Sequence, residues 1–227
     1  MQSIDAQPDH LGEARARLVT AALPHVAFDG WSDESLRLAL AETGVEESVA
    51  RLVFPRGGVD MALAFHTMMD ERLAAELAHT DLAAMRIRDR VTHCVRRRLE
   101  LVADHREAVR RGGTLLALPI YAADSARAIW STADTIWTAC GDTATDYNWY
   151  TKRAILASVY SATLLYWIGD ESAGHEDTWR FLDRRIDGVM QFEKAKAMIE
   201  KNPAAQAVLW GPMQILKLVK APGAGRA

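Results

Sequence analysis

Apolar residues recur at spacings of three and four along nearly the whole chain, whereas alternating β-branched runs and Asn-Gly hairpin signals are missing. That period is helical, so the pattern predicts an all-α fold. A first helix over residues 9–27 carries Leu11, Ala14, Leu18, Ala22 and Val26 on one face and ends at Phe28-Asp29-Gly30-Trp31. Ser32 or Asp33 caps a short second helix that closes near Thr43-Gly44, and residues 45–53 form a third before Phe54-Pro55-Arg56-Gly57-Gly58. Longer helices follow over 59–79 and 85–111, the latter interrupted by Gly112-Gly113. Past Pro119, helices are expected over 124–139, 146–168 and 176–201, each opened by a capping residue or closed by a Gly-Asp turn.

The hydrophobic faces widen toward the C-terminus. Ile155, Leu156, Val159, Tyr160, Leu164, Leu165, Trp167 and Ile168 cover more than one side of their helix, as in a bundle core or a dimer face. In residues 202–220, Val208, Leu209, Pro212, Ile215, Leu216, Leu218 and Val219 cover a broad arc, opposite a narrow stripe of Gln206, Gln214, Lys217 and Lys220. The chain therefore divides into a helix-turn-helix-like subdomain (1–56), a helical bundle (57–201), a terminal amphipathic helix (202–220) and a flexible tail (221–227).

Composition adds little direction. A chain of 227 residues with 49% hydrophobic and 25% charged residues builds an ordinary globular core, and a net charge of −3 gives no bulk attraction to polyanions. Cys94 and Cys140 lack the spacing of a zinc or redox motif and read as buried thiols. The acidic start, with Asp5, Asp9 and Glu13, reads as neither signal nor transit peptide, and no apolar run is long enough to span a membrane. The missing transit peptide points to a bacterial cytoplasm, or to a mature form; with the terminal amphipathic helix the expected location is peripheral to the inner membrane.

Enzyme motifs are missing: no Walker loop, no GxGxxG after a strand, no GxSxG elbow, no HExxH helix. Glu76 and His79 have the spacing of a di-iron ligand pair, but no second Glu-x-x-His exists, so neither catalytic residue, metal nor cofactor is assigned. An enzyme would require several of His66, Glu76, His79 and His105 to converge beside a pocket. The arginine-rich stretch Arg86, Arg88, Arg90, Arg96, Arg97 and Arg98 could meet phosphate on nucleic acid or lipid, but better fits a solvated face paired with Asp89, Glu100 and Asp104.

The run from Ala21-Ala22 through Phe28-Asp29-Gly30-Trp31, with Ala39, Gly44 and Phe54-Pro55, resembles the head of TetR-type regulators. A recognition helix facing two rows of phosphates needs cations, yet this one opens Val45-Glu46-Glu47, and residues 29–56 hold six acids against three arginines. The shape is kept and the charge is lost. A TetR-type ligand-responsive transcriptional regulator stands as the alternative function, with nucleic-acid contact not expected.

From Gly141 the chain reads Gly-Asp-x-x-Thr-Asp-Tyr-Asn-Trp-Tyr-Thr-Lys-Arg-Ala-Ile-Leu-Ala, and later Glu176-Asp177-Thr178-Trp179-Arg180-Phe181-Leu182. Together with Met85-Arg86-Ile87-Arg88-Asp89 and Leu99, these motifs closely resemble the coenzyme Q (ubiquinone) biosynthesis accessory family, TetR-fold lipid-binding proteins that assist the di-iron demethoxyubiquinone hydroxylase. The resemblance implies a non-catalytic homodimer that holds an isoprenoid lipid or phospholipid in its C-terminal bundle and presents quinone precursor to that hydroxylase. It implies a partner-binding patch at Asp146, Trp149, Tyr150 and Arg153, where the plainer alternative for Trp149 is core packing. Candidate lipid-lining residues are Met61, Phe65, Met68, Met69, Trp130, Ile136, Trp137, Leu156, Tyr160 and Leu164, all of which also suit plain core. A peripheral membrane contact falls to Leu209, Trp210, Ile215, Leu216, Lys217 and Val219, with a swapped or dimer-packing helix as the alternative.

Overall fold

The computed structural model describes residues 10–200, with side chains through Gln191. Among the described residues every regular element is helical: α1 (His10–Asp29), α2 (Asp33–Thr43), α3 (Glu47–Val53), α4 (Gly58–Leu77), α5 (Ile87–Glu100), α6 (Arg106–Leu116), α7 (Ala122–Ala139), α8 (Tyr147–Gly169) and α9 (Glu176–Glu200). The all-α class read from the hydrophobic period is the observed one. No described helix is long and apolar enough to cross a membrane. The expected amphipathic helix at 202–220 and the tail lie outside the described residues.

Contacts divide the chain into two units, one of residues up to 71 with 102–128, the other of 72–101 with residues from 129 onward. A cut at residue 56 therefore falls inside the first unit, which also takes the start of α4, all of α6 and the start of α7.

In the first unit α1 packs on α2, α3 and α6. Ser32 caps α2 with a reciprocal capping box to Ser35, satisfying donors that the first helical turn leaves open, and Gly44 closes it in the left-handed conformation. The centre of this unit is Trp31. Its indole N–H donates to the Ala108 carbonyl at 2.9 Å, and its ring lies 5.6 Å from that of Phe65, which meets the edge of His105.

This packing corrects one sequence expectation. Gly112-Gly113 do not interrupt a helix but lie inside α6, and the break falls at 101–105, where buried Val102 leaves helical geometry and a 3-10 turn follows. Gly112 is a packing residue: a Cβ there would lie 3.2 Å from the Trp31 indole nitrogen. Gly58 is tighter still, its missing Cβ falling 2.1 Å from the Trp31 carbonyl oxygen.

In the second unit α9 lies against α8 and α5. The arginines of α5 act as ties rather than as a free cationic face. Arg88 donates to Asp187 at 2.7 Å and Asp183 at 3.3 Å on α9, Arg97 reaches Glu76 at 2.6 Å, Arg90 donates to the Cys140 carbonyl at 2.6 Å, and Arg96 lies over the Trp179 ring. Cys94 and Cys140 are buried and free, and their hydrogen bond together with burial pushes the Cys94 thiol well above its ordinary range.

These contacts make the glycines distinguishable. Gly113→Ala meets nothing within 4 Å and should raise stability by about 0.5–1 kcal/mol, whereas Gly58→Ala should lower it by more than that gain. Urea unfolding of the two variants beside the parent checks the ordering, and equal midpoints would contradict it.

Candidate functional site

Two polar turns shape the second unit. Helix α7 ends with Gly141 at φ 79°, the left-handed conformation that glycine adopts without a Cβ penalty. The Gly141 N–H donates to the Thr138 carbonyl and the Asp142 N–H to the Trp137 carbonyl, the paired bonds of a Schellman ending. This ending delivers the Asp142 side chain, only 1% exposed, to α8. One carboxylate oxygen accepts from Lys152 Nζ at 2.6 Å and the other from Arg153 Nη1 at 2.9 Å. Burial alone would raise the Asp142 pKa, but these two cationic donors outweigh it and hold the carboxyl below its ordinary range.

Arg153 is itself buried, with Asp134 as a second carboxylate partner at 2.5 Å. Its guanidinium lies 4.0 Å from the centroid of the Trp149 ring, within cation–π range, and donates to the Trp149 carbonyl at 3.2 Å. Trp149 packs edge-on against Tyr150 at 4.8 Å, and both rings meet Trp130 at 5.8 and 6.3 Å. Asp146 caps α8 by accepting from the Asn148 N–H. The result is a rigid aromatic cluster at the start of α8, half-exposed at Trp130 and Trp149 and open at Tyr150.

The second turn joins α8 to α9. Asp170 accepts from the Ser172 N–H, the Thr178 N–H and the Thr178 hydroxyl, which places its charge on the first turn of α9, where the helix dipole favours an anion. Burial opposes ionisation here too, but the Ser172 and Thr178 donors hold the carboxyl well below its ordinary pKa. The α8–α9 connection rests on this turn, and the ties from Arg88 hold α9 to α5.

Between α5, α7, α8 and α9 lies a cavity of about 180 Å³. Its apolar wall consists of Ile87 and Val91 from α5, Trp137 from α7, Ile155, Leu156 and Val159 from α8, and Ile186, Val189 and Met190 from α9. Polar groups are confined to Arg88, Asn148, Thr151 and Lys152. The Trp137 indole N–H donates to the Lys152 carbonyl at 3.0 Å, which fixes the ring as part of the wall, and Lys152 Nζ lies 5.4 Å from the same ring.

The structure gathers Asp146, Trp149, Tyr150 and Arg153 in one place, with Arg153 beneath the cluster rather than on its surface. The ten residues expected to line a lipid pocket do not gather. Only Trp137 and Leu156 line the apolar cavity. Met61, Phe65 and Met69 are buried in the first unit, and Met68 borders a separate groove there between α1, α3 and α4. Ile136 and Tyr160 are fully buried core, Leu164 is half-buried on α8, and Trp130 belongs to the aromatic cluster. Helical Met and aromatic stripes are filled by packing wherever neighbours are close, so composition alone does not separate wall from core. Missed were Ile186, Val189 and Met190, whose i, i+3, i+4 spacing on α9 carried the signal, and Asp142, whose position after a helix-ending glycine carried another. Leu209, Trp210, Ile215, Leu216, Lys217 and Val219 lie outside the described residues.

None of His66, Glu76, His79 and His105 lines the cavity, and the described residues contain no cluster of His, Cys, Asp or Glu fit to hold a metal ion. Glu76 is held by Arg97, whose hydrogen bond keeps its carboxyl below the ordinary range. In the first unit α3 spans only Glu47–Val53, with Arg51 tied back to Glu47 at 2.6 Å.

The COQ9 family profile matches residues 122–193, the stretch that holds the aromatic cluster, the Asp142 and Asp170 turns and every cavity wall except α5. Against curated sequences the chain is 32% identical to the mitochondrial ubiquinone biosynthesis protein COQ9 of Rattus norvegicus over 226 residues, covering 95% of this chain and 72% of that protein. The chain belongs to the COQ9 family. The Drosophila melanogaster and Homo sapiens COQ9 proteins are each 32% identical, and the chain spans 61% and 65% of their lengths. Among solved structures it is similar to a TetR transcriptional regulator from Nitrosomonas europaea, with TM-score 0.62 and 21% identity, over 77% of this chain and 97% of that one. At that identity the likeness establishes the TetR-like fold alone. The curated COQ9 relatives are mitochondrial proteins of eukaryotes, which overturns the expectation of a bacterial cytoplasm.

Asp142 and Asp170 both titrate below their unfolded values, so the stability they contribute is complete above the unfolded carboxylate pKa of about 3.9 and is lost as pH falls below it. The parent should lose urea resistance steeply below about pH 4, and Asp170→Asn should flatten that fall. An unchanged slope in the variant would show that Asp170 does not carry it. Asp142→Ala leaves Arg153 buried with one carboxylate fewer and should cost on the order of 3 kcal/mol in the same measurement at pH 7.

Proposed function

We propose that this COQ9 family member is a non-catalytic accessory protein of ubiquinone biosynthesis. It holds part of an isoprenoid or phospholipid in the α5–α7–α8–α9 cavity and presents quinone precursor to a hydroxylase docked on the Trp130–Trp149–Tyr150 cluster. It acts as a homodimer and meets the membrane through residues 202–220. The observation that supports this reading most is the apolar cavity itself, three of whose four helices lie in the family-matched stretch and whose polar groups, Arg88 apart, sit at the start of α8.

The cavity volume limits what is enclosed. Cavities near 150 Å³ lined by aliphatic side chains stay dry and take up a benzene ring, so about 180 Å³ suits one six-membered ring or a short isoprenoid segment, not a long chain. The aromatic cluster has the composition of a binding hot spot: large rings with a desolvated arginine held beneath them.

Native mass spectrometry of the purified chain followed by lipid extraction tests the holding role. Isoprenoid or phospholipid mass on a dimer is expected. Val159→Trp should fill the cavity and abolish the bound lipid while retaining helicity, and retention of lipid in that variant would overturn the cavity assignment. Trp149→Lys should leave the unfolding midpoint within about 1 kcal/mol of the parent, because the ring is half-exposed, and reduce capture of the hydroxylase at least tenfold. A large stability loss with capture unchanged would return Trp149 to plain core.

A further inference from the structure

The proposed cavity and the proposed docking cluster share one buried group. Asp142 holds Lys152 with one oxygen and Arg153 with the other. Lys152 and Trp137 are cavity wall, and the backbones of Trp137 and Asp142 are joined by a hydrogen bond at 3.0 Å. Arg153 is the floor of Trp149, at 4.0 Å from its ring.

The two cations differ in freedom. Lys152 is 41% exposed and its ammonium donates to one carboxylate, Asp142, whereas Arg153 is 3% exposed and pinned by three acceptors. A ligand entering beside Trp137 must displace the mobile member, the lysine ammonium, or turn the indole against it. Either movement takes one hydrogen bond from Asp142, and a buried carboxylate that loses one donor re-aims toward those that remain. The remaining donors are the Ala144 N–H, a long contact of 3.4 Å on the oxygen that Lys152 leaves, and Arg153, the only charged one of the two, whose guanidinium packs on the Trp149 ring and shifts it when it moves.

We propose that Asp142 is a positioning residue that couples occupancy of the apolar cavity to the orientation of the Trp149 cluster, so that the docking surface reports whether lipid is bound. The proposal rests on the cavity and cluster having the roles assigned above. Binding linkage then requires the converse, that a partner seated on Trp149 alters the affinity of the cavity for its ligand by the same factor.

The test uses the full chain labelled with 5-fluorotryptophan, with the Trp137 and Trp149 resonances assigned from Trp137→Phe and Trp149→Phe, and farnesol as the cavity probe. In the parent, farnesol is expected to shift both fluorine resonances with one saturation curve. In Lys152→Gln, which leaves the Asp142–Arg153 pair intact but alters the cavity wall and so is read at its own farnesol saturation, only Trp137 should shift. Asp142→Asn should give the same uncoupled response if it folds, and Lys152→Gln decides the matter if it does not. A parent in which Trp137 shifts and Trp149 stays fixed would overturn the coupling while leaving the cavity reading intact. A parent in which Trp137 itself fails to respond would remove the cavity reading, and the coupling with it. Persistence of both shifts in Lys152→Gln would assign transmission to the rigid α8 backbone, which also carries Asn148 and Thr151 on the wall, and would overturn the role of Asp142.

Discussion

A carboxylate that is 1% exposed is costly to place in a protein, since removing it from water takes several kcal/mol that only short, charged donors offset. Asp142 meets that condition because three separate local structures converge on it. The left-handed Gly141 turns the chain so that the carboxylate faces α8, and α8 presents Lys152 and Arg153 as adjacent residues. Asp134, two helical turns earlier on α7, completes the arginine's partners. Much of what distinguishes the second unit follows from this one group. It sets the register of α7 against α8, which places Trp137 as cavity wall, Arg153 under Trp149, and Trp130 beside both.

Polar turns and apolar faces have different tasks here. Hydrophobic burial drives α5, α8 and α9 together but is indifferent to how they meet. The directional groups fix that geometry. Asp170 fixes the α8–α9 turn through three hydrogen bonds, and Arg88 ties α5 to α9 through Asp183 and Asp187. The α8–α9 turn thus rests on a buried carboxylate, and the α5–α9 tie on part-exposed ion pairs beside the cavity.

How much of this was legible in the sequence depends on how local each cause is. Helix periods and caps are local, so all the described helices except the separate α5 and α6, which were read as one, were readable within a few residues, and Gly141-Asp142 and Gly169-Asp170 were recognisable as helix endings. The misplacement of the break near Gly112 shows where locality fails. A glycine reads as a breaker until its neighbour in space is known, and that neighbour is Trp31, some eighty positions away. The adjacency of Asp146, Trp149, Tyr150 and Arg153 was legible because they lie within two turns of one helix, where spacing alone decides adjacency. Cavity walls were not, because four helices must be placed before it is known which apolar faces meet and which stop short. Met61, Phe65 and Met69 carried the same signal as Ile186 and Val189 and ended as core in the other unit.

Under the proposed lipid-holding and hand-over role, the size of the cavity sets how firmly a ligand is held. Each buried methylene is worth about 0.8 kcal/mol, so a void suited to one ring or a short isoprenoid segment recovers at most a few kcal/mol beyond the cost of the empty space. That range corresponds to weak, exchangeable binding rather than storage. Weak grip on one end of a lipid, with polar groups gathered at Asn148, Thr151 and Lys152 on the side of the aromatic cluster, is the arrangement that hand-over demands. A deeper pocket would hold the molecule more tightly and release it too slowly, and a pocket remote from the cluster would give a docked partner no influence on release. Here the wall residue Lys152 and the cluster support Arg153 are consecutive on α8, so the distance over which binding must be felt is a single carboxylate.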